Sequence, residues 1–289
     1  MNRPDWIKVR APSAEDAREM GAVRKVLAEY RLTTVCQGAI CPNAVECWSA
    51  RTATFMLLGG LCTRTCRFCA VPTGNPGGAL DRDEPRRLAD AVRELGLRYV
   101  VLTSVDRDDL PDGGASVFAE AIRRIKEEDE AILVEALVPD FGGNDDALAT
   151  IARAGADVIG HNIETVRRIT PLVRDPRASY DRSLSVLSRV KELSPDTITK
   201  SSLMLGLGEE RDEVLEALRD LRGVGVDIVT LGQYLRPTKA AYPVARYVPP
   251  EEFDELREEA LDLGFGYAVA GPFVRSSYRA AEAYAAARR

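Results

Sequence analysis

Apolar runs rich in β-branched residues recur along the chain at Thr54–Leu58, Tyr99–Ser104, Ile132–Val138, Asp157–Asn162, Ile198–Leu205 and Ile228–Leu235. Between them, apolar residues fall at helical spacing over Pro85–Leu95, Ala115–Lys126, Asp145–Ala154, Ser179–Glu192 and Asp212–Gly223. Strand and helix alternating in this way imply a parallel sheet with helices packed outside it. The six strand runs fall short of the eight units of a closed barrel. The expected fold is therefore α/β, a partial (β/α)6 TIM-like barrel, with a doubly wound open sheet as the alternative. In both architectures chemistry gathers at the C-terminal ends of the strands. Polar motifs stand at those positions: Cys62 to Cys69, Ser104 to Asp106, Asn162 to Thr165 and Gly206 to Glu209.

Helical patterns also cover Ala14–Tyr30 and Glu251–Leu263, and an Ala-rich helical tail follows Tyr278. No low-complexity linker and no second core interrupt the chain. Residues 1–50 and 241–289 read as extensions of one domain spanning 51–240.

Composition narrows the class. The chain has 289 residues, 45% hydrophobic and 29% charged, as in an ordinary globular protein. No apolar run reaches membrane-span length, and the N-terminus lacks the apolar stretch of a secretory signal, so the expected location is cytoplasmic. A formal net charge of −6 argues against a dedicated nucleic-acid binder. The pairs Arg86–Arg87, Arg123–Arg124 and Arg167–Arg168 lie in amphipathic stretches with carboxylates nearby and read as solvated helix faces.

The cysteines change the picture most. All six lie between Cys36 and Cys69, whereas cysteines used as small hydrophobes would scatter. The second triad, Cys62-Thr-Arg-Thr-Cys66-Arg-Phe-Cys69, fits three thiolates around one [4Fe–4S] cluster and leaves one iron open to a small chelating molecule. Structural zinc normally takes four ligands, which disfavours it here. The first triad, Cys36, Cys41 and Cys47, is a weaker signal by itself and leaves zinc open. Beside a second triad in a cysteine-poor chain it reads as a second cluster.

The Cys-x3-Cys-x2-Cys spacing resembles the radical S-adenosylmethionine (SAM) superfamily, and both triads together resemble the lipoyl synthase family. Segments that agree run along nearly the whole chain: Cys41-Pro-Asn, Glu46-Cys-Trp48, Cys62-Thr-Arg, Phe68-Cys-Ala-Val71, Thr103 to Leu110, His161-Asn-Ile-Glu-Thr-Val166, Gly206-Leu-Gly-Glu209, Gln233-Tyr-Leu235, Arg246-Tyr-Val248 and Arg275-Ser-Ser-Tyr278. Departures fall at Gln37-Gly38, Gly60, Ser202 and Ala241, none of them a cluster ligand. The second triad alone also fits a methylthiotransferase or biotin synthase. A two-cluster electron carrier is the non-enzyme alternative, and it leaves the long barrel-like sequence after Cys69 without a purpose.

The resemblance implies a radical SAM fold and a sulfurtransferase. Two sulfur atoms enter at C6 and C8 of a protein-bound octanoyl-lysine, supplied by the auxiliary [4Fe–4S] cluster. In the family, Cys62, Cys66 and Cys69 carry the SAM-binding cluster. Cys36, Cys41 and Cys47 carry the auxiliary one, with Ser277 as its fourth ligand. The alternative for Ser276-Ser277 is a cap on the tail helix. Candidate SAM contacts are Phe68, Asn162, Glu164, Arg174, Lys200 and Gly206; for His161, the only histidine, a positioning or packing role is favoured over a base or metal role. Implied partners are an octanoylated lipoyl carrier domain (glycine cleavage H protein or a 2-oxoacid dehydrogenase E2 domain), a reducing donor such as ferredoxin or flavodoxin, and an iron–sulfur carrier for cluster repair.

Overall fold

A computed structural model describes residues 3–7, 13–35, 43–49 and 51–288. In chain order its main elements are α1 (Ala14–Glu29), β1 (Thr33–Thr34), α2 (Ala44–Ser49), β2 (Thr52–Leu57), α3 (Glu84–Glu94), β3 (Tyr99–Ser104), α4 (Ala115–Glu128), β4 (Leu133–Leu137), α5 (Asp145–Ala152), β5 (Val158–Gly160), α6 (Thr170–Val173), α7 (Tyr180–Leu193), β6 (Ile198–Leu205), α8 (Arg211–Gly223), β7 (Ile228–Gln233), α9 (Pro250–Asp262), β8 (Tyr267–Gly271) and α10 (Ala280–Ala287). The strands form one sheet in sequence order. Strands β2 to β8 are all parallel, and β1 lies antiparallel to β2 at the edge. The six expected strands are all present. The sheet has a further parallel strand, β8, in the segment read as a terminal extension. Its sequence, Tyr-Ala-Val-Ala-Gly, carries a single β-branched residue and gave the pattern little to register.

The helices start where local chemistry allows. Asn144 caps α5 by accepting from the Asp146 and Ala147 amides, Ser179 caps α7 through Arg182 N, and Glu210 with Glu213 forms a capping box on α8. Alternate strand residues such as Val100, Leu102, Val134, Ala136 and Ile159 pack under the helices. The opposite strand face meets the C-terminal helix: Ala280 of α10 packs with Tyr99 and Val101, and Ala283 packs with Val158, Ile198 and Ile228. Small side chains let a helix fit inside the curved sheet. On that same face Lys200 donates to both oxygens of Glu135 at 2.9 Å, and Tyr99 Oη donates to Glu135 at 2.9 Å. The arginine pairs are surface groups held by carboxylates, Asp81 and Asp90 on α3's pair, Glu120 on α4's, and Asp181 and Glu213 on Arg167 and Arg168. No helix of the described residues is long and apolar enough to cross a membrane.

Candidate active site

The segment after β2 forms a loop fixed from outside itself. Cys62 N donates to Pro72 O and Gly74 N to Cys62 O, which closes the loop's base. The Thr63 amide donates to Asp106 O beyond β3, and the Arg67 amide donates to Val173 O at the end of α6. The Asp175 carboxylate accepts from Thr65 N at 2.9 Å and Thr65 Oγ1 at 3.0 Å. Arg177, bonded to Asp175 at 2.8 Å, holds that carboxyl well below the usual range.

Each cysteine sulfur of this loop accepts one backbone N–H: Cys62 from Arg64 at 3.4 Å, Cys66 from Asp175 at 3.3 Å and Cys69 from Val71 at 3.4 Å. Donors aimed at sulfur suit a thiolate. Burial pushes the free thiols up, Cys66 to about 12, so the loop favours metal-bound sulfur over free thiolate.

Beside Cys66 lies a cavity of about 140 Å3 whose lining includes Phe68, Ser104, Asp106, His161, Asn162, Glu164 and Arg174. A second cavity of about 210 Å3 shares Arg64, Asp106 and Pro139 with it. Three of the residues that line the first cavity each hold a buried polar atom with no hydrogen-bond partner: Ser104 Oγ, Asn162 Oδ1 and Arg174 Nε. Native proteins rarely leave such atoms unsatisfied, so three of them on residues around one cavity fit a polar ligand. Glu164 accepts from Asn162 Nδ2 at 3.2 Å and adopts a left-handed backbone with φ of 66°, the kind of strain that clusters at ligand sites. Burial raises the Glu164 carboxyl above its ordinary value and Asp106 to about 6.

Arg174 is positioned by a relay. Its Nη1 donates to Ser183 Oγ at 2.8 Å; His161 Nε2 lies 3.0 Å from the same oxygen, and His161 Nδ1 lies 2.8 Å from Val138 O. A carbonyl only accepts, so Nδ1 carries the proton and Nε2 accepts from Ser183. Burial, reinforced by Arg174, pushes His161 down to about 4 and keeps it neutral. The expected positioning role agrees with this geometry.

The lining also includes a charged cluster around a buried arginine that sequence reading missed. Arg64, 4% exposed, donates to Asp140 at 2.6 and 2.9 Å and to Asp108 at 2.9 Å, with Asp106 at 3.3 Å. Arg64 and Asp106 lay within quoted motifs, but no local pattern shows that Asp140, beyond another strand, completes the set.

Two candidates stand elsewhere. Lys200 does not line the cavity; its ammonium sits within the sheet's inner face on Glu135, where isolation would be costly. Gly206, with φ of +98°, gives its amide to Glu209 at 2.6 Å, and a Cβ there would collide with Gln233 and Arg246 O. It is a turn glycine, made necessary by close approach.

Cys36 and Cys41 lie outside the described residues. Cys47 is half-buried on α2. The C-terminal segment returns to that helix: Asn43 Nδ2 donates to Phe273 O at 2.7 Å, and Glu46 accepts from Tyr278 Oη at 3.3 Å and Arg279 Nε at 3.4 Å. The capping alternative for Ser276-Ser277 does not hold. Helix α10 has Arg279 at its N-cap, with no side-chain cap bond.

Comparison with known proteins agrees. The radical SAM superfamily profile matches residues 56–221. The chain is 59% identical to a lipoyl synthase of Deinococcus radiodurans, covering 96% of this chain and 83% of that one. It is 58% identical to that of Thermus thermophilus, covering 96% and 85%, and 59% identical to that of Pyrobaculum arsenaticum, covering 97% and 94%. Solved structures share the fold at low identity. Methylornithine synthase (PylB) matches at TM-score 0.54 and 16% identity over 90% of this chain and 79% of its own. The FeFe-hydrogenase maturase HydG matches at 0.59 and 15% over 98% and 70%. With relatives this similar along nearly its full length, the chain belongs to the lipoyl synthase family of the radical SAM superfamily.

Proposed function

We propose that Cys62, Cys66 and Cys69 hold the SAM-binding [4Fe–4S] cluster and that Cys36, Cys41, Cys47 and Ser277 hold the auxiliary one. The reaction is that of the family: two sulfur atoms are inserted at C6 and C8 of an octanoyl-lysine on a carrier domain, with SAM and two [4Fe–4S] clusters as cofactors. Bound there and reduced, the first cluster would supply the one electron for cleavage of SAM into methionine and a 5′-deoxyadenosyl radical, able to break unactivated C–H bonds.

The chain's own residues orient the cofactor and exclude water. Arg174, set by Ser183 and His161, takes the SAM carboxylate. Asn162 and Glu164 take the ribose hydroxyls, and Phe68 packs beside them. The carrying observation is the cavity beside Cys66, lined by Ser104, Asn162 and Arg174, each of which holds a buried polar atom without a partner.

The auxiliary site draws on both ends of the chain. Residues 1–50 carry its cysteines, 51–240 form the SAM barrel and 241–289 bring Ser277. The contacts of Asn43 and Glu46 with the C-terminal segment support this division. Oxygen is a harder ligand than thiolate, so Ser277 suits an iron that must leave when sulfide is consumed. The carrier is a glycine cleavage H protein or a 2-oxoacid dehydrogenase E2 domain. A ferredoxin or flavodoxin supplies electrons, and an iron–sulfur carrier rebuilds the spent cluster.

Anaerobic reconstitution tests the assignment. The wild type should hold about eight irons, four per cluster. Cys41→Ala should keep about half of them and still cleave SAM, yet form no dithiolane on an octanoyl-lysine peptide. Ser277→Cys should cleave SAM but stall before full product; normal turnover by that variant would refute the labile-ligand role.

A further inference from the structure

Strands β7 and β8 carry glycines at cross-strand partner positions, Gly232 and Gly271. Neither has a left-handed backbone, so conformation does not demand glycine there. Close approach does at Gly232. A Cβ on it would stand 2.1 Å from Val274 O and 3.1 Å from Val274 C, nearer to the oxygen than packed Cβ atoms come. A Cβ on Gly271 would stand 3.4 Å from Val274 Cγ2. The two glycines thus leave a notch in the sheet, and the buried Val274 sits in it.

The chain around Val274 is fixed by two turns. Val274 N donates to Gly271 O at 3.1 Å, and Tyr278 N donates to Arg275 O at 2.9 Å, which makes Ser276 and Ser277 the central pair of the second turn. Arg275 Nη1 donates to Val274 O at 2.7 Å and holds that carbonyl against the notch. On its other side the segment meets α2. Phe273 O accepts from Asn43 Nδ2 at 2.7 Å, and the Asn43 carbonyl accepts from Cys47 N at 3.0 Å. Tyr278 is bonded to Glu46, and Ala280 and Ala283 are buried against the sheet's inner face. Ser277 is therefore carried on a strap fixed on both sides of it.

We propose that Gly232 is a positioning residue for the auxiliary cluster: the notch it opens seats Val274 and thereby sets the turn that presents Ser277 as the fourth ligand. This rests on the assignment of Cys36, Cys41, Cys47 and Ser277 to that cluster. A ligand that must release its iron cannot be held in place by the strength of its own bond, so the scaffold has to place it. Functional groups need placing to within about 0.5 Å. A methyl group at Gly232 would drive the Val274 carbonyl back by roughly 1 Å, because a packed interior has no spare room, and the turn of Ser277 would move with it.

The test compares Gly232→Ala, Ser277→Ala and the double variant with the wild type, all reconstituted and saturated with SAM to cover the open iron of the Cys62 cluster. Each is treated with ferricyanide. A four-iron cluster short of one protein ligand then releases Fe(II), gives one electron to the oxidant and becomes a paramagnetic three-iron cluster, read by EPR and iron count. The wild type should keep about eight irons, and both single variants should fall to about seven with the three-iron signal. The double variant should lose no more than Ser277→Ala alone, because Gly232 acts through Ser277. Iron retention by Gly232→Ala while Ser277→Ala shows the signal would overturn the proposal. Further loss in the double variant, or loss of iron from the Cys62 loop, would do the same, since it would mean general damage to the sheet. If Gly232→Ala yields no folded protein, Val274→Ala decides: it loosens the seat without adding an atom to the sheet and should give a weaker form of the same signal, and full iron retention would overturn the seat. No three-iron signal in Ser277→Ala would instead sink the ligand assignment, and the notch's role with it.

Discussion

The loop of Cys62, Cys66 and Cys69 and the region around Cys47 are built on different plans. The first is compact in sequence. Its three sulfurs come from eight consecutive residues, and tethers from Asp106, Val173 and Asp175 hold it over the sheet. The second is assembled from the chain's two ends. Asn43 and Glu46, just before Cys47, meet Phe273, Tyr278 and Arg279 more than 220 residues on. A site closed within one loop tolerates changes at the termini. A site closed between termini fails when either is displaced, and it can open without disturbing the rest of the barrel. This suits a division in which one cluster is kept and the other is spent.

The largest effect expected on the compact side is at Arg64. Arg64→Leu leaves Asp140 buried opposite Asp106 and Asp108 and should cost about 3–5 kcal/mol, read from denaturant midpoints, with loss of iron at the Cys62 loop. A cost near zero would mean that the aspartates do not need their counter-charge.

Lys200→Met should be comparably destabilising, about 3 kcal/mol, because Glu135 loses its cation while its bond from Tyr99 remains. Adding Glu135→Leu should recover much of that loss. SAM affinity of the folded protein should not move. If it fell tenfold, Lys200 would have a second role at the cofactor.

His161→Ala tests the relay to Arg174. SAM affinity by equilibrium dialysis should weaken about tenfold, one hydrogen bond to a charged group, with iron content unchanged and partial recovery in His161→Asn. An unchanged affinity would leave His161 a packing residue.

The smallest effect probes the distant closure. Glu46→Gln removes exposed contacts with Tyr278 and Arg279 and should cost about 0.2–1 kcal/mol in global stability. It should nevertheless lower iron retention at the auxiliary site after turnover, leaving SAM cleavage intact. Equal loss at both clusters would erase the contrast between the two regions.

Much of this was legible in the sequence. The period of apolar residues set six of the parallel strands and their helices, because each strand must bury a helix-facing row in a fixed alternation. The cysteine spacing marked the loop proposed to hold a cluster, because the spacing of thiolate ligands is local. Motif positions after strands marked the cavity side, since parallel sheets collect their loops at one end. Strand β8 escaped because small residues carry little pattern, and Lys200 was read as a cofactor contact because a charge in a strand says nothing about which layer it occupies.

Tertiary structure alone decided what depends on distant residues meeting. It put Asp140 on Arg64, Glu135 on Lys200 and Ser183 between His161 and Arg174. It returned the C-terminal segment to the helix of Cys47. Each of these is a contact between groups whose separation along the chain carries no periodicity, so only the packed sheet could fix which charge answers which.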